Sequence, residues 1–159
     1  MLVPGASTYE LVGERDAHPL EIAAVSGRSR AADQISPIRE RIDLAEQVAQ
    51  DATSEREFRV LHDPGSGCSG VTQFIGYIPQ LRTPPHYHPY SEMLCVVSGR
   101  GVVEIDGHEQ RVAPGWCFYL PRGTPHLVEN ISSDYLRLLG VFTPPGSPAQ
   151  SIPLTVGTQ

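Results

Sequence analysis

His86-Tyr87-His88-Pro89-Tyr90-Ser91-Glu92 places two histidines one residue apart and a carboxylate four positions further on. On an extended strand, residues two apart project from the same face. Both imidazoles can therefore point into one space and meet a single ion. Glu92 can join them once the chain bends at Pro89, and Pro84-Pro85 breaks the chain just before His86.

Outward from this stretch the pattern is β. Eight short runs rich in β-branched, aromatic or alternating residues follow one another, at residues 58–62, 71–78, 92–98, 102–105, 109–112, 116–119, 126–130 and 135–142. Turn signals separate several of them: Pro64-Gly65-Ser66-Gly67, Gly99-Arg100-Gly101, Asp106-Gly107 and Pro114-Gly115. Such spacing predicts an all-β sandwich or barrel. Alternation from Glu92 puts Leu94 and Val96 on the same inward face, so the carboxylate is expected among aliphatic neighbours.

Residues 1–57 differ in character and are read as an extension of mixed or partly helical structure, serving as a lid or a dimer arm. Ser36-Pro37 resembles a helix start, and Ile38, Ile42, Ala45 and Ala49 follow at helical spacing. A short alternating strand around Arg41–Leu44 is the competing reading. Residues 58–142 form the barrel, and residues 143–159 are expected to be an extended, partly mobile tail rich in proline.

Composition narrows the function. The net charge of -6 leaves no excess of cations to neutralise phosphates, which argues against nucleic acid. No run of about eighteen apolar residues predicts a membrane span. All 12 basic residues are arginine, so chemistry that requires a lysine amine is excluded, including pyridoxal phosphate, Schiff-base and P-loop mechanisms. Cys68, Cys95 and Cys117 are odd in number and lack a CxxC spacing, which predicts free thiols in a reducing compartment. Cys95 and Cys117 are expected as small core residues. With no basic region followed by an apolar one near the start, the expected location is cytoplasmic.

The stretch around His86 resembles the first motif of the cupin family, H-x-H, three or four residues, E, six residues, G: here His86, His88, Glu92 and Gly99. The second cupin motif, G-x5-P-x-G-x2-H-x3-N, is matched by Gly115, Pro121, Gly123, His126 and Asn130 with every spacing kept. Gln80 departs from the glycine often found before the first histidine. The region from Phe58 to Gln80 also resembles the C-terminal half of bacterial two-cupin proteins. The resemblance implies an all-β cupin jelly-roll barrel and a metal site of His86, His88, Glu92 and His126. It brings one divalent transition metal ion as cofactor, of iron, manganese, nickel, cobalt, copper or zinc.

Three imidazoles and a carboxylate suit such an ion and leave coordination positions open. The expected function is a metal-dependent enzyme on a small organic substrate, an oxygenase first, with Glu92 as ligand and catalytic proton acceptor. The alternatives are a non-redox cyclase, isomerase or lyase with a tyrosine moving the proton, and a non-catalytic binding protein. Gln73, Tyr77, Arg82, Tyr87, Tyr90 and Tyr119 are candidates for supporting groups. His18, His62 and His108 are expected at the surface, Asn130 is expected to tie a strand end to a loop, and a homodimer is expected because open strand edges need covering.

Overall fold

Alternating burial marks the strands of the barrel. Along β7 (Ser91–Ser98), Glu92, Leu94 and Val96 are buried while Met93 is exposed. A period of two is the mark of a sheet with one face on a core. The computed structural model describes residues 42–154 and the backbone of residues 6–11 and 20–25. The chain divides into two compact units, Met1–Ser36 and Pro37–Gln159. In the first, β1 (Ala6–Leu11) and β2 (Leu20–Val25) pair antiparallel.

The second unit is a two-sheet β-sandwich. One sheet runs β10 (Cys117–Leu120), β7, β12 (Leu136–Thr143), β5 (Thr72–Ile78), β4 (Glu57–His62), β3 (Gln50–Asp51). The other runs β13 (Ile152–Pro153), β6 (His86–Tyr87), β11 (His126–Asn130), β8 (Gly101–Ile105), β9 (His108–Val112). All pairings are antiparallel. The β8–β9 hairpin turns on Asp106 (φ 48°) and Gly107 (φ 79°), both left-handed, as the Asp-Gly pair predicts.

The core lies between the sheets. Phe74 stacks on Phe142 with centroids 4.8 Å apart and meets Phe58 edge-on. Leu136 and Phe142 are fully buried. Each such side chain contributes about 1.5–3 kcal/mol through burial. Gly140 is required here, because a Cβ on it would lie 2.1 Å from the Phe74 ring.

Five expectations change. The helix expected after Ser36 is, in its described part, one 3-10 turn at Leu44–Glu46 capped by the Asp43 carboxylate, with neither the long helix nor the strand; residues 36–41 lie outside the described residues. The barrel unit reaches back before residue 58, since β3 and the start of β4 complete the larger sheet. The tail is packed as far as Leu154: β13 pairs with β6, and the Tyr90 hydroxyl bonds both the carbonyl and the N–H of Ser147. Finally, Cys95 and Cys117 stand directly opposite on β7 and β10 and form a disulfide, with Cα atoms 4.1 Å apart. They occupy the outward phase of those strands, so they are not core residues and not free thiols. His62 is also buried, against expectation, while His108 is exposed and His18 lies outside the described residues.

Candidate metal centre

Strand register assembles the histidines. His126 on β11 lies directly opposite His86 on β6, with ring centroids 4.5 Å apart. His88 follows two residues later on the same face, its ring 5.2 Å from that of His86. Glu92 comes from the facing sheet, between Leu120 and Phe142 of its neighbouring strands. All four side chains are buried.

Each imidazole is oriented by a backbone carbonyl. Nδ1 lies 2.8 Å from the Pro84 carbonyl in His86, 3.0 Å from Gln150 in His88, and 2.9 Å from Thr124 in His126. A carbonyl only accepts, so each Nδ1 carries the proton and each Nε2 keeps its lone pair. Ligand atoms of the three histidines lie within 4.8 Å of one another. Glu92 Oε2 lies 3.7 Å from His88 Nε2 and 3.6 Å from His126 Nε2. Ligand atoms sharing one ion at about 2.0–2.2 Å stand about 3–4.4 Å apart; the Glu92 distances fall in that range, and the 4.8 Å bound on the histidines reaches slightly beyond it.

The electrostatics suit a cation. Burial, aided by the neighbouring His126, holds His86 down at about 3. Burial holds His88 down at about 4 and also lowers His126. The three rings are therefore neutral at neutral pH and able to coordinate. Burial pushes the Glu92 carboxyl up to about 8, against the opposing charge of Arg56. Its Oε2 is buried without a hydrogen-bond partner. An orphaned buried carboxylate oxygen is costly alone and well served by a divalent ion. His86, His88 and His126 could hold a metal, and the Glu92 carboxylate stands beside two of them.

Around these groups lies a narrow cavity with room of about 50 Å³, a few water molecules' worth. Phe58, Phe74, Leu94, Val128 and Leu138 line it, with Arg56 and Pro148. Its wall is mainly apolar, as the alternation of Glu92, Leu94 and Val96 predicts.

The candidate supporting groups separate. Tyr90 stacks on His88, 5.4 Å apart and 10° from parallel, and its hydroxyl is engaged by Ser147. Tyr77 is half-buried, contributes to the cavity lining, and has its ring beside the guanidinium groups of Arg59 and Arg137. Tyr119 is exposed and bonds Ser91, and Arg82 is exposed amid Glu104, Glu109 and Glu129. Asn130 sits at the other end of β11 from His126, bonded to Ile78, Ser132 and Asp134, and so ties strand to loop. Gln73 is buried and Tyr87 half-buried, and neither lines the cavity.

Residues 74–142 match the family described as Cupin domain. Over those residues the chain matches a cupin domain. It is 42% identical over 60 residues to an uncharacterized protein of Streptomyces coelicolor, SCO3923, covering 38% of this chain and 56% of that protein. It is 30% identical over 90 residues to the tetracenomycin polyketide synthase protein TcmJ of Streptomyces glaucescens, covering 54% and 60%. The chain thus spans a little over half the length of these two relatives. In structure the cupin domain is similar to the polyketide cyclase RemF of Streptomyces resistomycificus, with a TM-score of 0.64 at 21% identity, covering 76% of this chain and 88% of that one. At that identity the likeness carries the fold.

Arg56 and the residues after Pro144 were missed in the sequence. The strap contacts His88 through a backbone carbonyl, which leaves no mark in side-chain identity. Arg56 has one weak signal: it alternates with the inward-facing Phe58.

Proposed function

We propose that this cupin is a metal-dependent enzyme catalysing a non-redox reaction, of the cyclase, isomerase or lyase kind, on a small carbonyl compound. The observation that carries the reading is the convergence of three neutral imidazoles and one orphaned carboxylate oxygen in a mainly apolar cavity. His86, His88, His126 and Glu92 would hold one divalent ion. When bound, that ion supplies Lewis acidity toward a carbonyl or hydroxyl oxygen.

The chain's own groups fill the remaining roles. Phe74, Leu94, Val128 and Leu138 exclude water, which strengthens every charge interaction inside. Among the described residues, Tyr77 reaches the cavity lining but its ring is set beside Arg59 and Arg137, and the Tyr90 hydroxyl is engaged by Ser147. Glu92 is left as the group that holds or takes a proton, at Oε2. The likeness to RemF and TcmJ, whose names tie them to polyketides, supports the cyclase side over the oxygenase side. Neither name speaks of an oxygenase.

The test is turnover without dioxygen. The zinc-loaded protein, offered 1,3-dicarbonyl compounds in deuterated buffer under anaerobic conditions, should catalyse exchange at the central carbon. His88→Ala should abolish it. Reaction that appears only with oxygen uptake would overturn the reading.

A further inference from the structure

Among the described residues Arg56 is the one cationic side chain lining the cavity, and nothing in the metal centre requires it. It follows the β3–β4 turn, where Ser54 (φ 62°) and Glu55 (φ 56°) both adopt the left-handed conformation. Neither is glycine, so the turn is held at a cost of about 1 kcal/mol or more for each residue. The Ala52 N–H bonds the Arg56 carbonyl at 2.8 Å and closes the turn. Arg56 then shares its phase with the buried Phe58, which directs it inward.

The guanidinium is oriented but not saturated. Nε donates to the Thr53 carbonyl at 2.8 Å, and Nη2 donates to Thr53 Oγ1 at 2.6 Å. Thr53 Oγ1 in turn lies 3.0 Å from Ser151 Oγ of the C-terminal strap. Five N–H donors are available to an arginine, and these bonds use two. Among the described residues no carboxylate comes within 4.0 Å of its nitrogens. The half-buried cation thus has no carboxylate in direct contact, although Glu92 and Glu57 line the same cavity with Phe58, Phe74 and Leu94, and Glu92 acts on it through space.

Charge counting points the same way. A divalent ion, one carboxylate and three neutral imidazoles would leave one net positive charge; Arg56 adds a second and Glu57, also on the lining, takes one back, so the balance stays positive. Such a cavity favours a ligand that brings negative charge, and a planar fork matches a carboxylate best.

We propose that Arg56 is the anion-recognising residue of this cavity, and that the ligand is a small organic carboxylate whose oxygens face Arg56 while its other end faces the histidines. This rests on the reading of the cavity as a substrate site, and names its substrate class. Arg56 sets specificity, and Thr53 positions it.

The test is calorimetric titration of the zinc-loaded full chain with acetate and benzoate, each against its neutral amide. The wild type should bind at least one carboxylate about tenfold or more tightly than its amide. Arg56→Gln should reduce that preference to less than about threefold while holding the same zinc content. Thr53→Ala, which removes the Nη2 contact but keeps the carbonyl bonded to Nε, should lower the preference, by less than Arg56→Gln does. The proposal is overturned if the preference survives in Arg56→Gln, or if no carboxylate binds the wild type better than its amide. The same titrations without metal separate the two claims. An Arg56-dependent preference in a protein that takes up no zinc supports the anion site and removes the metal-enzyme reading. Zinc uptake with no Arg56 dependence does the reverse.

Discussion

His88 donates its Nδ1 proton to the carbonyl of Gln150, 62 residues downstream, at 3.0 Å. The strap after Pro144 therefore belongs to the surroundings of the candidate metal centre. Its docking depends on the Tyr90 hydroxyl and on Gly146, where a Cβ would lie 2.1 Å from the Tyr90 ring.

Loosening the strap should weaken metal binding. Tyr90→Phe removes two hydrogen bonds to Ser147, a loss of about 1–3 kcal/mol. Groups that orient metal-bound histidines are commonly worth about 10–100-fold in affinity. Chelator competition should show zinc affinity falling by about tenfold in Tyr90→Phe, and further in a chain truncated after Thr143. Unchanged affinity in a folded truncated chain would disconnect the strap from the site.

The metal-free protein should show a stability maximum in pH. The Glu92 carboxyl titrates at 4.5 ordinarily and at about 8 in the fold. Between those values the folded chain keeps a proton that the unfolded chain has released, so stability falls as pH rises. His86 and His88 run oppositely: their ordinary value is 6.5, lowered to about 3 and about 4. There the unfolded chain binds protons that the folded chain does not, so stability rises with pH up to about 6.5. The histidines together outweigh Glu92 below that point, and Glu92 acts alone above it. Melting curves should show Tm rising from about pH 4.5 to 6.5 and declining toward 8, with the decline absent in Glu92→Gln.

Glu92 and Leu94 separate metal binding from turnover. Glu92→Gln should abolish turnover while only weakening metal binding, because three imidazoles remain. Leu94→Arg places a long cation in the cavity and should block substrate while the ion stays bound. Metal content measured beside activity checks both, and loss of metal in Leu94→Arg would contradict the assignment of that wall.

A homodimer is the expected assembly. Among the described residues strand β10 ends the larger sheet without a further neighbour, and Trp116, Tyr119 and Met93, on or beside it, are exposed. Open edges carrying apolar groups are commonly covered by a second copy. Light scattering should give twice the chain mass of 17.3 kDa. A single-chain mass at micromolar concentration would contradict it.

How much of this was legible in the sequence follows from how each feature is made. The eight runs of alternation match β4, β5 and β7 to β12 to within a residue or so at each end, because side-chain period and turn residues directly encode strands. The histidines were readable because HxH on a strand and its partner on β11 come in fixed spacings. The β3–β4 turn was not, since Ser54 and Glu55 take left-handed backbone without the usual glycine or asparagine. Cys95 and Cys117 pair only because β10 lies against β7 in one register, and register between strands twenty residues apart is set by packing. The helix expected from Ser36 is reduced in the described part to one 3-10 turn, where Leu44 instead receives Arg59 Nη1 on its carbonyl.

Metal content is the most direct test of the central claim. The purified chain is offered zinc, manganese, iron, nickel, cobalt and copper, dialysed, and analysed by mass spectrometry beside the His86→Ala/His88→Ala/His126→Ala variant. The account predicts one divalent ion per wild-type chain and essentially none in the triple variant, with circular dichroism showing the barrel intact in both. Full occupancy in the triple variant, or a folded wild type that holds none of the six metals, would contradict it.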